Sequence, residues 1–225
     1  MPKRKEADTS GERAGKKSRT RAKIVNQASR LLRTQGLEKP AIDDVMAAAD
    51  LTRGGFYAHF ENRDALIAEA LDKAFEDGHK YMFFTGELAA SPKAELRGRA
   101  WVEHAQKFYL SEEHLHEAAM RCPVPALGSE VARAAPEVRD VFTDNIKTVI
   151  DATAGFLGDQ NATKCERDRA IQMLSAWFGA MMVARAVNDE TLALEIIESC
   201  KRETLREFDS ASTPHRAPKK KATHH

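Results

Sequence analysis

The chain has 225 residues, 42% of them hydrophobic and 31% charged, with a net charge of +1; this is the balance of a globular protein long enough to bury a sizeable core. Its longest apolar run, Ala176–Ala184, is nine residues, too short to cross a bilayer, and the basic N-terminus has no apolar stretch behind it to make a secretory signal. Three cysteines, Cys122, Cys165 and Cys200, are an odd number without paired spacing, which suits a reducing cytoplasm better than a disulfide framework.

Residues 1–17 are rich in Lys, Arg, Glu and Gly without apolar period and read as a disordered basic arm. Helical periodicity then dominates. A first helix is expected over Ser18–Thr34, with Ile24, Ala28, Leu31 and Leu32 on one face and Gly36 as its stop. Ile42–Ala49 and Arg53–Phe60 follow as two short helices. The next starts after an Asn62 cap and runs to Phe84 with Leu66, Ala70, Ala74 and Phe75 inward. Pro92 opens a helix to Leu110, and a short one reaches Met120. The run Cys122-Pro123-Val124-Pro125 breaks the chain, and Pro136 sits in the first turn of a helix ending near Gly158. Glu166–Val187 and Glu190–Phe208 complete the set, and residues 209–225 read as a disordered tail. No segment alternates as a strand does. The expected fold is all-α, with a small helical head over 18–64 and a larger helical body over 65–208.

The most informative stretch is IDDVMAAADLTRGGFYAHFENR, residues 42–63. Two short helices joined by a three-residue break, with small and polar residues on the second, suit insertion into a DNA major groove. Adjacent glycines, Gly54 and Gly55, are poor helix chemistry, each costing about 1 kcal/mol relative to alanine. They make sense where backbone approaches phosphate or base edges closely. Thr52 is placed to cap that helix and reach a phosphate. Arg53 is placed to read guanine or hold the DNA backbone. Tyr57 and His59 can donate to phosphates, while Phe56 and Phe60, four apart, anchor the same helix inward. Charge agrees: residues 1–65 carry 14 Lys and Arg against 9 Asp and Glu, and the remainder 21 against 25. A basic end beside a mildly acidic body points to a polyanion contact at that end.

Residues 21–67 closely resemble the N-terminal domain of tetracycline-repressor (TetR/AcrR) regulators through Ile24, Ala28, Leu32, Gly36, Val45, Ala49, Thr52, Gly54, Tyr57, Phe60 and Leu66. The resemblance implies a homodimeric one-component transcription factor, usually a repressor of a palindromic double-stranded DNA operator, released by a small-molecule effector. Three departures stand out. Asp50 occupies the turn where the family usually has glycine, Arg63 an expected phosphate contact where it usually has lysine, and Pro40-Ala41 the helix opening where it usually has Ser or Thr; Lys39 is then the substitute phosphate contact.

In the body, Glu166–Val187 is apolar on nearly all sides, which for a helix means burial on two faces. Gly179, Ala180 and Ala184 add a small-residue strip, and with Leu194, Ile197 and Leu205 this reads as half of a dimer-forming four-helix bundle. Candidate effector-pocket residues are Met82, Phe83, Trp101, His104, Phe108, Met120, Phe142, Ile146, Trp177 and Met181. His114 and His116 stand two apart on a helix, which points them away from each other, so no metal site is expected. Cys122, read as an exposed thiol at the Pro-rich break, is the candidate for oxidant or electrophile sensing. No phosphate loop, GxSxG or metal cluster is present, so neither an enzyme nor a bound cofactor is expected. The alternatives to a ligand-released repressor are a thiol-sensing regulator of the same family and an architectural DNA binder without sequence choice.

Overall fold

The computed structural model describes residues 5–83, 96–117, 122–158 and 163–212. Among these the regular structure is helical: α1 (Lys5–Gln35), α2 (Ile42–Ala48), a 3-10 helix (Arg53–Ala58), α3 (Arg63–Phe83), α4 (Gly98–Tyr109), α5 (Glu112–His116), α6 (Pro123–Val131), α7 (Pro136–Leu157), α8 (Lys164–Ala186) and α9 (Glu190–Ser212). The expected starts at Pro92 and ends at Phe84 and Met120 lie outside the described residues.

The head is built from α1, α2, the 3-10 helix and the first turns of α3. Ile24, Ala28 and Leu32 of α1 close on Val45, Met46 and Ala49 of α2, and Phe56, Phe60, Leu66 and Ala70 complete this core. Gly36 ends α1 at φ +89°, donating its N–H back to the Leu32 carbonyl. At the end of α2, the Leu51 N–H reaches the Met46 carbonyl and the Asp50 N–H reaches that of Ala47. This helix-ending pattern needs a left-handed residue. Asp50 supplies it at φ +53°, and its carboxylate receives the Lys23 ammonium at 2.9 Å. That bond to Lys23 also holds the Asp50 carboxyl below its ordinary range.

α3 runs out of the head into the body. Asn62 caps it by accepting the Ala65 N–H at 2.8 Å. Its early turns pack on α1 and its length packs on α7, with Leu66, Ala70, Ala74 and Phe75 buried. α7 lies against α8 and α8 against α9. Pro136 opens α7, and Glu166 accepts the Thr163 N–H at 2.6 Å at the head of α8. α8 turns Leu174, Trp177 and Met181 into the core, while Ile171, Met182 and Val183 remain 40%, 49% and 43% exposed.

Three expectations are corrected. Residues 5–17, expected as a disordered arm, are the opening turns of α1. Helix nucleation is the costly step, and a helix already fixed by packing propagates cheaply through Lys-, Arg- and Glu-rich sequence that contains no proline. α9 likewise propagates to Ser212, past the expected end at Phe208, through Asp-Ser-Ala-Ser ahead of Pro214. Arg53–Phe60, expected as an α-helix, is a 3-10 helix ending at Ala58. Its two glycines remove the propensity for regular α-helix, and within it Phe56 alone is buried.

Candidate nucleic-acid interface

The candidate surface is a short turn held from beneath by two phenylalanines. Phe56 is fully buried and Phe60 nearly so, their rings stacked 5.6 Å apart. Arg21 of α1 lies over the Phe60 ring at 4.2 Å, donates to the His59 carbonyl and pairs with Glu69 of α3. The turn is therefore fixed to both long helices of the head.

On the outward side Thr52, Arg53, Gly54 and Tyr57 are exposed, and Tyr57 is 67% open although its ring meets the edge of Phe56 at 5.2 Å. A Cβ added at Gly54 would have nothing within 4 Å, whereas one at Gly55 would meet the Met46 methyl at 3.6 Å. Gly54 thus leaves free space beside the turn, and Gly55 rests against α2. Thr52 makes no side-chain cap; its carbonyl instead accepts the Gly55 N–H at 3.0 Å. In a 3-10 turn that backbone bond replaces the one expected of the hydroxyl, which stays exposed. Arg53 donates to the Asp43 carboxylate at 2.7 Å.

His59 is half-buried, with its Nδ1 enclosed and without a hydrogen-bond partner. Burial lowers its pKa, and the nearby charges of Lys17 and Arg21 lower it further. Lys39 is exposed in the connection between α1 and α2. Arg63 sits on the other side of that connection, its Nη2 donating to the carbonyls of Leu37, Glu38 and Pro40. These bonds give Arg63 a structural task that its place in the motif did not announce. Glu130 of α6 closes the same connection from the body, accepting the Leu37 N–H at 2.7 Å.

The candidate effector residues are dispersed through the body core. Trp101 stacks on Phe156 at 5.1 Å, and Phe142 meets Phe75 at 5.5 Å. Trp177 stacks on Tyr109 at 5.7 Å and donates to the Thr204 hydroxyl. His104 lies against Phe108 at 4.9 Å. Met181 is fully buried and Ile146 packs at the core's edge. Met82 and Phe83 close α3 with side chains outside the description, and Met120 lies outside the described residues. A cavity of about 200 Å³ lies elsewhere, between α8 and α9, lined by Met173, Ala176, Cys200 and Thr204 among others.

Cys122 is buried, not exposed. The proline after it starts α6, and this junction packs under α3 so closely that a Cβ at Gly78 would come within 4.0 Å of the Cys122 Cα. Burial pushes the thiol's pKa up, partly offset by the Tyr109 hydroxyl and the Val124 backbone. The Tyr109 hydroxyl lies against that thiol without a well-formed hydrogen bond. His114, also buried, joins the two segments: its Nδ1 contacts the Tyr109 carbonyl at 2.6 Å and its Nε2 accepts the Cys122 N–H at 3.2 Å. His116 turns the other way and meets Glu190 at 2.9 Å. With Glu112 these two bring one ligand atom each within 4.8 Å of one another, all three open to solvent. Sequence spacing did not reveal Glu190, which comes from α9, 74 positions from His116.

Residues 24–70 match the family described as bacterial regulatory proteins, tetR family. The HTH-type transcriptional repressor DhaR of a Mycobacterium species is 31% identical over 72 residues, 32% of this chain and 36% of that protein. The HTH-type transcriptional regulator TtgR of Pseudomonas putida is 35% identical over 57 residues, 25% of this chain and 27% of that protein. This chain therefore matches about a third of those relatives' length. Solved structures extend the likeness of fold to the body. The reduced form of NemR from E. coli superposes with a TM-score of 0.66 at 15% identity, covering 82% of this chain and 94% of that one. The TetR-family regulator SCO4454 from Streptomyces coelicolor does so at 0.63 and 20%, covering 85% and 96%.

Proposed function

We propose that this chain, whose residues 24–70 are a tetR-family DNA-binding domain, is a transcriptional repressor that binds a palindromic operator as a homodimer and is released by a small molecule. One observation carries the reading: Thr52, Arg53, Gly54 and Tyr57 stand exposed together on a turn whose buried side is bolted to the core by Phe56 and Phe60. A rigid, small-residue, cation-bearing turn is what a major groove admits. Lys39 and the exposed cations Arg13, Lys16, Lys17 and Arg19 on α1 extend the positive surface along which phosphates would lie.

The homodimer is supported by the outer face of α8. Ile171, Met182 and Val183 are exposed there, Leu192 follows on α9, and a Cβ at Gly179 would meet nothing within 4 Å. Apolar residues beside the open position at Gly179 suit a second copy packed across a two-fold axis, while Ala184, expected in the same small-residue strip, is buried in the chain's own core. Release by an effector is supported by the Gln106 Oε1 on α4, which is buried without a hydrogen-bond partner from the protein; a buried acceptor of this kind is costly unless a water or a ligand supplies a donor.

The test is selection of duplex DNA from random sequence by the full chain, followed by affinity for the selected palindrome and for bulk DNA. A specific regulator binds its palindrome at least about a thousandfold more tightly. A ratio near one would replace this reading with that of an architectural DNA binder. Light scattering at micromolar concentration should give twice the chain mass. An effector found by thermal shift should bind more weakly in the presence of operator, by the same factor by which it weakens operator binding.

A further inference from the structure

Asp43 is an acidic side chain in the first turn of α2, beside a surface read as a partner for DNA. Its carboxylate meets Arg53 Nη1 at 2.7 Å, with 56% of the Asp43 side chain and 66% of the Arg53 side chain exposed. The ion pair adds little to stability, since exposed pairs of this kind contribute little to folding, and the attraction of a helix start for a carboxylate is met by Asp44 in the same turn as well. Nor does it add affinity, since a carboxylate at this surface repels phosphate. The other acidic groups nearby have backbone or turn duties, Asp44 accepting the Ala41 N–H and Asp50 forming the left-handed turn. Among the described residues the polar partner of the Asp43 carboxylate is Arg53.

We propose that Asp43 is a positioning residue for base recognition, holding Arg53 so that its fork presents to guanine and not to phosphate. The inference rests on the regulator reading above. A guanidinium has five donors in a rigid plane. With Nη1 given to Asp43, the edge formed by Nε and Nη2 remains, and two parallel donors on one edge match the O6 and N7 acceptors of guanine in the major groove. Without Asp43 the side chain is a free cation at the mouth of the groove, where the nearest anions are phosphates common to every sequence. Gly54, with no neighbour within 4 Å of an added Cβ, leaves room beside Arg53 for the base pair to approach. Asp43 thus trades general attraction for choice of base.

The experiment is selection from random duplex DNA by the wild type, Asp43→Asn, Arg53→Ala and Asp44→Asn, with nonspecific affinity measured against salt. The wild type should select guanine at one position of each half-site. Asp43→Asn should reduce discrimination there about tenfold, the low end of what a bidentate contact supplies. Its nonspecific binding should hold or strengthen, with a steeper salt dependence. Arg53→Ala should lose the same guanine, and a further protein carrying both Asp43→Asn and Arg53→Ala should lose no more than Arg53→Ala alone. Asp44→Asn, in the same helical turn, should keep the wild-type profile. A purely structural role would lower the melting temperature of Asp43→Asn and weaken all sequences equally. A selected operator with an Asp43→Asn profile identical to wild type overturns the inference and leaves the regulator reading standing; a wild type that selects no sequence overturns both.

Discussion

Replacing Gly36 by alanine tests how the body holds the head. Gly36 sits at φ +89°, a conformation that costs an L-residue roughly 1–2 kcal/mol. A Cβ there would also stand 2.6 Å and 2.8 Å from the two Glu130 carboxylate oxygens. The carboxylate is the free end of a side chain and can swing aside, so the collision itself is cheap. What swinging aside loses is the hydrogen bond from the Leu37 N–H, 2.7 Å long. A hydrogen bond to a charged group contributes about 1.5–3 kcal/mol. Gly36→Ala should therefore cost about 2.5–5 kcal/mol, a large part of a typical domain's stability. Glu130→Ala should cost the second part alone. In the Glu130→Ala background the collision is already gone, so Gly36→Ala should add only the left-handed cost. The double variant should then be less destabilised than the two single losses together, by about the value of the hydrogen bond. Denaturant melts of the four proteins measure this directly. Strict additivity, or a Gly36→Ala variant within about 0.5 kcal/mol of wild type, would refute the reasoning.

The remaining predictions concern charge and access. His59 is held below its ordinary range by burial and by Lys17 and Arg21; its contribution to stability is whole above the unfolded value of about 6.5 and is lost as pH falls from there toward the lower folded value. His59→Gln should remove that part of the acid sensitivity, and equal pH profiles of melting temperature for the two proteins would refute it. Among the thiols, Cys165 is exposed, Cys200 half-buried and Cys122 buried with a raised pKa, so alkylation of the native protein followed by mass spectrometry should label them in that order. Fast labelling of Cys122 would reopen the thiol-sensing reading. Deleting residues 1–17 should make the plot of log affinity against log salt shallower by about 0.9 for each phosphate contact removed. An unchanged slope would mean that the start of α1 points away from DNA.

Much of the head was legible because it is local. A helical period places Ile24, Ala28 and Leu32 on one face, and two phenylalanines four apart face one way whether the turn is an α-helix or a 3-10 helix. The Asn62 cap lies three residues from its partner. What stayed hidden is what chain folding brings together. Glu130 and Leu37 are 93 positions apart, and no periodicity links them. Arg63 looks in sequence like one more cation in a basic motif, yet its Nη2 faces carbonyls 23 to 26 positions earlier. Asp43 and Arg53 belong to different elements, and only the tight turn at Asp50 brings them within reach. In the body the aromatic stripe was legible as buried but not as assigned: period alone cannot tell a side chain that lines a cavity from one that stacks on a neighbour, as Trp101 does on Phe156.

The polar links between head and body are few enough to reason about one by one. Arg33 at the end of α1 reaches Asp77 of α3 at 3.4 Å, and Glu130 of α6 holds the Leu37 N–H. Arg63, at the root of α3, grips the carbonyls on either side of Lys39. The connection between α1 and α2 is thus held from α3 and from α6 at once. A displacement of α6 relative to α3 cannot satisfy both grips without moving that connection, and α2 with the reading turn moves with it. A coupling of about 1–3 kcal/mol is the usual scale for an effector acting on a distant site. One charge-assisted hydrogen bond is of the same size. On the proposed reading no large rearrangement of the body is then needed: loss of the Glu130 grip alone is an energy of the size by which an effector changes operator affinity.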